Sequence, residues 1–315
     1  MRLIHERNLM DMGKKGAEDR REKIPANMPE ANKRMKDMEI IEQQVVGKSP
    51  KTKSEDGIVV TKDFIAVIDG STSKTDRRVS RWYSNGRYAM KIISDYIRHA
   101  PAGISCTAFC AGVTEAVHKK YSKKDYPLYE EHPEERLTAS VIVFSRLQRQ
   151  IWMIGDCQCL VGTNYFENAK PSEAAIALRR AEKAHELIGE GRATKEDLLN
   201  DDQAREAVIP KMIESMKGQN RDYAVVDGFP IPMNKVKILT LDFEPFTLVL
   251  ASDGYPFLKQ TLEESENALR LQKENDPLNI GDYHPADGNA PFVATKAFKS
   301  GYTSFDDRAY IRFKV

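Results

Sequence analysis

Three acidic positions in this chain share a setting that suits cation chemistry. Asp69 closes the apolar run Phe-Ile-Ala-Val-Ile and is followed by Gly70. Asp253 closes the run Phe-Thr-Leu-Val-Leu-Ala-Ser and is followed by Gly254. Asp306 and Asp307 stand just before the alternating stretch Arg-Ala-Tyr-Ile-Arg-Phe. Such runs read as strands, and in an antiparallel sheet the end of one strand lies beside the start of its neighbour. Carboxylates at two strand ends and one strand start can therefore converge on one edge. Held that close they repel one another, and a divalent cation removes the conflict. An all-oxygen donor set suits Mg2+ or Mn2+ rather than zinc. Gly70 permits close backbone approach, so its carbonyl can also face an ion. Taken singly, each position has a plainer reading. Asp-Gly is a common hairpin turn, and Asp306-Asp307 alone reads equally well as a solvated turn.

The elements that must position these groups follow from hydrophobic periodicity. Ile-Val-Val from Ile58 and Phe-Ile-Ala-Val-Ile-Asp-Gly from Phe64 read as two short strands joined by a turn. A helix follows with Tyr88, Ile92, Ile93, Tyr96 and Ile97 on one face, then a second presenting Phe109, Val113 and Val117. Residues 137–162 read as three strands separated by turns, and 171–217 as charged helices. Residues 236–254 return to strands, 262–275 form a helix, and 308–315 close as a strand. Short turns between neighbouring strands favour antiparallel pairing. Helices that arrive in pairs argue against a doubly wound parallel sheet. The expected fold class is α/β (α+β), a four-layer αββα sandwich of two antiparallel sheets flanked by helix pairs.

Composition narrows the function classes. A hydrophobic share of 41% and a charged share of 30% over 315 residues are those of an ordinary globular chain. A formal net charge of +1 offers no bulk electrostatic reason to bind nucleic acid or an anionic membrane. No apolar run is long enough to span a bilayer, and the charged start lacks the apolar segment of a secretory signal. A cytoplasmic location is expected. The four cysteines, Cys106, Cys110, Cys157 and Cys159, are too few for a disulfide scaffold and read as reduced, buried thiols. Residues 1–46, rich in charge and methionine, are expected to form a loosely ordered or partly helical extension to a domain spanning 47–315. Within that domain a helical insert is expected at about 163–235.

Five short motifs, in order, resemble those of the metal-dependent Ser/Thr phosphatases of the protein phosphatase 2C family. They are Ser-Glu-Asp at 54–56, Phe-Ile-Ala-Val-Ile-Asp-Gly at 64–70, Leu-Thr-Ala-Ser-Val with Ile-Trp-Met-Ile-Gly-Asp between 137 and 156, Leu-Val-Leu-Ala-Ser-Asp-Gly at 248–254, and Ser-Phe-Asp-Asp-Arg-Ala-Tyr-Ile-Arg-Phe at 304–313. The resemblance covers roughly residues 47–315. It implies that Asp69 bridges two Mn2+ or Mg2+ ions, that the Gly70 carbonyl binds one, and that Asp253 and Asp306 ligate the other. It further implies that Glu55 and Asp56 hold metal-bound waters and that Asp156 helps bind a weaker third ion. As the only acid of its hairpin, Asp156 reads equally well as a turn residue. Two departures stand out. Ser71 occupies the slot where some members carry a histidine proposed as the general acid. Lys51 occupies the slot of a phosphate-gripping arginine, keeping the charge but losing the bidentate fork. Lys53, Arg77 and Arg78 are fallbacks for that role.

The activity so implied is hydrolysis of phosphoserine or phosphothreonine on a phosphoprotein substrate by a metal-bridging hydroxide, with Asp69, Asp253, Asp306 and Glu55 as the catalytic set. Two other readings stand beside it: a catalytically silent module that binds metal or phosphoprotein as a regulator, and a hydrolase of small phosphoesters. Neither nucleic acid nor membrane is an expected partner, and a monomer is favoured. His284 is read as a surface residue, Trp82 and Tyr83 as core or rim residues, and the charge of the insert helices as a solvated face.

Overall fold

The computed structural model describes residues 4–6, 38–242 and 247–315. In chain order the strands are β1 (Ile4–Glu6), β2 (Glu39–Val46), β3 (Gly57–Val60) and β4 (Phe64–Gly70). Helices α1 (Asn85–His99), α2 (Cys106–His118) and α3 (Tyr126–Glu131) follow. Next come β5 (Ala139–Ser145), β6 (Gln150–Ile154), β7 (Gln158–Val161) and β8 (Asn164–Glu167). The helices α4 (Glu173–Gly189), α5 (Lys195–Asn200), α6 (Gln203–Glu206) and α7 (Ile209–Met216) precede β9 (Lys237–Leu241) and β10 (Thr247–Ala251). The chain closes with α8 (Leu262–Asn275) and β11 (Arg308–Lys314).

Two antiparallel sheets result, one of six strands in the order β1-β9-β6-β5-β4-β3 and one of five in the order β2-β11-β10-β7-β8. They stack face to face. β4 explains how: Ile65 and Val67 point between the sheets, toward Leu248, Leu250, Ile311 and Phe313. Phe64, Ala66 and Ile68 point the other way, beneath Ile93, Ile97, Phe109 and Val113 of the α1–α2 pair. Burial on both faces is why this strand reads as an unbroken apolar run instead of an alternating one. Trp152 of β6 is fully buried under the same pair, its ring centroid 5.3 Å from that of Phe109. Outside the five-stranded sheet lies α8, whose start is set by a capping box between Thr261 and Glu264. All four cysteines are buried free thiols, as expected. No helix among the described residues is long and apolar enough to cross a membrane.

The expected boundary at residue 46 needs correction. Residues 39–46, assigned to the extension, form β2, which pairs along the length of β11. The register shifts between Arg312 and Phe313, where Ile40 and Glu42 take consecutive partners and Ile41 is the extra residue. A bulge of this kind switches the face a strand presents. Ile40 therefore joins the inter-sheet core while Glu42 accepts from the Leu262 amide at the start of α8. The switch and the doublets Ile40-Ile41, Gln43-Gln44 and Val45-Val46 mask period two in the sequence. The rest of the expected extension, apart from β1, lies outside the described residues. The helical part of the insert runs from Glu173 to Met216, while its first residues form β8 against β7.

Candidate active site

The predicted acids gather at the end of the sandwich where β4 and β10 finish and where β3 and β11 begin. Asp69 shares parity with Ile65 and Val67, so it stands at the open end of the inter-sheet core, opposite Ser140 of β5. Ser140 in turn donates to Asp156, which places the Asp156 carboxylate beside the Asp69 strand. Asp253 follows β10, and Gly254 lets that turn press onto the chain entering β11. A Cβ on Gly254 would lie 2.1 Å from the Asp307 carbonyl oxygen. Gly70 serves a similar contact: a Cβ there would meet the Gly86 carbonyl oxygen at 2.4 Å and that of Glu55 at 2.6 Å. Its lack of a side chain thus lets β4 sit against the first turn of α1 and against the Glu55–Asp56 segment.

The acids differ in what they touch. Asp307, which shares the inward parity of Ala309 and Ile311, accepts from the backbone amides of Lys48 (2.7 Å) and Glu55 (3.1 Å). It therefore clamps the Ser-Glu-Asp segment to β11. Glu55 accepts from the hydroxyls of Thr72 (2.5 Å) and Ser84. Ser84 precedes α1, and its side chain makes no cap with that helix; the hydroxyl reaches Glu55 instead. Asp56 is 3% exposed, and its Oδ2 has no hydrogen-bond partner among the described residues. Asp156, Glu173 and Asp253 each offer an oxygen within 4.8 Å of the others. Asp306, by contrast, is held by lysines: the Lys48 ammonium lies 3.2 Å from Oδ1, and Lys296 pairs with Oδ2.

Crowding sets the electrostatics. Burial, then Asp307 and Asp253, push Asp56 up to about 8. Burial and Asp156 bring Asp253 up to about 6. Burial, Asp253, Asp56 and Asp156 raise Asp69 well above the usual carboxylate range. Asp156 goes the other way. Burial opposes its charge, but Lys170, 2.5 Å from its Oδ2, holds it below that range. An orphaned oxygen on Asp56, carboxylates that raise one another and an all-oxygen donor set fit a hard divalent cation at the Asp56, Asp69, Asp253, Asp156 and Glu173 end. At Asp306 and Asp156 the counter-charge is already a lysine ammonium.

These groups border a cleft of about 900 Å3, a volume that includes open solvent at its mouth. Asp69, Gly70, Ser71, Asp253 and Asp306 line one side; Lys74, Lys170, Glu173, Arg205 and Lys296 also face it. The insert is therefore a wall of the cleft as well as a solvated surface. It is fixed there by fully buried Arg180, which binds Asp202 (2.7 Å) and donates to the carbonyls of Leu278 (2.8 Å) and Ala294 (3.0 Å). Lys51 is exposed, lies outside the cleft lining, and has its amide on the Ser49 hydroxyl. Arg77, Arg78, Trp82 and His284 are exposed. Lys48, Lys74, Lys170, Glu173, Arg205 and Lys296 carried no motif or spacing that marks them in the sequence. Only folding brings their four chain segments together.

No protein-family model matches the sequence, and no curated protein matches it. Similar solved structures include the catalytic domain of the serine/threonine protein phosphatase PstP in complex with two manganese ions. That chain is 12% identical, with 88% of this chain and 99% of that one covered at a TM-score of 0.41. RsbX in complex with magnesium is 12% identical over 88% of this chain and 98% of that chain, with a TM-score of 0.42. The serine/threonine phosphatase Stp1 from Staphylococcus aureus is 14% identical over 87% and 95%, also with a TM-score of 0.42.

Proposed function

We propose that this chain is a metal-dependent phosphatase that hydrolyses phosphoserine or phosphothreonine on proteins. The observation that carries the reading is the burial of Asp56, Asp69 and Asp253 at one end of the sandwich, where burial raises all three and Asp253 further raises the proton affinity of Asp56 and Asp69, beside a cleft that also presents cations. Mn2+ or Mg2+ held by such a set supplies Lewis-acid polarisation of a phosphoryl oxygen and a water of lowered pKa. Asp69, Asp253 and Asp56 are the ligands or water-holders in this reading, and Asp156 and Glu173 flank them. The Gly70 carbonyl and Asp306 complete the set when Lys48 and Lys296 yield. Glu55 orients its neighbours through the Thr72 and Ser84 hydroxyls. The reaction adds water across the phosphorus–oxygen ester bond, releasing the serine or threonine hydroxyl and inorganic phosphate. With serine at position 71, no side-chain acid is assigned to the leaving oxygen, which takes its proton from solvent.

A second reading, a silent module that binds metal or phosphoprotein, is favoured by one observation. Lys48 and Lys296 engage Asp306, and Lys170 engages Asp156. Phosphate release from a phosphothreonine peptide and from an aryl phosphate, with and without Mn2+, separates the two. The phosphatase reading expects metal-dependent release that Asp69→Asn and Asp253→Asn each reduce at least ~100-fold, since even losses in the shell behind a ligand cost ~10–100-fold. Metal binding with no release from either substrate would favour the silent module. Wild-type rates in both variants would remove the site assignment.

A further inference from the structure

Lys74 stands on the loop that leaves β4 just after the Asp69-Gly70 pair, and it lines the cleft. Its ammonium donates to the Thr72 carbonyl, and among the described residues it forms no salt bridge with a carboxylate. The charged groups that weigh most on it are Lys296, Arg205, Lys48 and Lys170, all cations; burial first, and then these neighbours, lower it to about 7. Arg205 comes from α6 of the insert, and Lys296 from the segment that the insert clamps. Arg180 donates to the Ala294 carbonyl and Arg205 to that of Thr295, so the residue next in line, Lys296, is held on the same wall. Three chain segments thus deliver like charges to one partly buried place; Asp306 answers Lys296, and the positive charge that remains on Lys74 and Arg205 favours an added anion.

We infer that Lys74, Arg205 and Lys296 form the grip for the phosphate group of the substrate, the role the sequence motif assigns to position 51. The inference rests on the phosphatase reading and names the residues that hold its substrate. The chemistry recognised is a phosphate-type oxyanion. The two ammonium groups act as point charges, and Arg205 keeps guanidinium N–H groups beyond the one given to Thr295. Lys296 also pairs with Asp306, so the gripped phosphate lies against the acidic side of the cleft.

Calorimetric titration of inorganic phosphate into the full chain in EDTA reads the grip with metal chemistry removed. Wild type should bind. Lys74→Gln and Arg205→Gln should each weaken binding about ten-fold or more, as expected for loss of a charged hydrogen-bond donor, and Arg205→Lys should retain part of it. Melting temperatures near wild type identify variants that remain folded. With Mn2+ and a phosphothreonine peptide, the same two variants should raise KM more than they lower kcat. No phosphate binding by wild type in EDTA, wild-type affinity in both Gln variants, or loss of binding in Lys51→Gln instead would overturn the inference. The two readings fail separately. Phosphate binding that depends on Lys74 and Arg205, without hydrolysis of any substrate, keeps the grip and removes the phosphatase. Hydrolysis with KM unchanged in both Gln variants does the reverse.

Discussion

Stripped of divalent cations, the protein should lose stability as pH rises from about 4.5 to about 6.5. The cause is the crowded acids. Asp253 ionises near 3.8 when unfolded and at about 6 when folded. Between those values the folded state binds more protons, so stability falls with pH by at most about 1.4 kcal/mol per unit for each such group. Asp253 alone then removes about 2 kcal/mol across the window, and about 3 kcal/mol over its whole titration, a large fraction of the ~5–15 kcal/mol typical of a domain. Asp69 and Asp56, raised in the same direction, steepen the slope. Lys74 and Lys296, lowered to about 7 and about 8, remain charged in both states through most of this window and add little. One group outside the cleft contributes in the same sense. Asp227, buried against Arg136 at 2.9 Å, is up at about 6 through burial despite that partner. Urea unfolding followed by tryptophan fluorescence, with EDTA or with excess MnCl2, isolates the site. Mn2+ favours the ionised carboxylates, so it should flatten or reverse the slope and leave only the Asp227 part. Stability that rises across the window in EDTA, or an EDTA slope that Mn2+ leaves unchanged, would refute the reasoning.

Two further outcomes follow from particular contacts. Gly254→Ala drives a methyl into the Asp307 carbonyl and the Arg308 side chain. It should cost ~1–3 kcal/mol in urea unfolding and weaken Mn2+ binding measured by electron paramagnetic resonance, whereas Gly103→Ala, with open space around it, should do neither. Deletion through Val46 removes β1 from the edge of the six-stranded sheet and β2 from the edge of the five-stranded sheet, and the Lys48 approach with them. Lost ladder hydrogen bonds at ~1 kcal/mol each put the cost on the order of 5 kcal/mol, visible as a lower melting temperature. An unchanged transition would show that β2 does not contribute to the folded domain.

Much of the scaffold was legible because its strands and helices announce themselves by period and length. β4, β5 and β10 are short apolar runs ending in turn residues, and α1 and α2 carry apolar stripes. β2 was not legible, since its bulge moves the buried face part-way along the strand. The acids were legible for a similar reason: a carboxylate directly after a buried strand stands out. The cations were not, because a lysine in a charged loop resembles any solvated lysine until long-range folding selects it. Lys51 and Lys48 make the contrast plain. Three residues apart, one is exposed while the other lies within 4 Å of Glu55, Asp306 and Asp307. No local spacing distinguishes them. Glu173 was hidden in the same way, on a helix whose charge pattern reads as solvated until its first turn docks on the cleft.

The most direct measurement is anomalous diffraction from crystals of the full chain soaked in MnCl2 at neutral pH. The account predicts manganese at the end of the sandwich, with carboxylate oxygens of Asp69 and Asp253 about 2.0–2.2 Å away, as is usual for small hard divalent cations, and with the Asp56 Oδ2 newly engaged directly or through a water. Manganese absent from that end at saturating concentration, with Lys48 and Lys296 still on Asp306 and Lys170 still on Asp156, would contradict it.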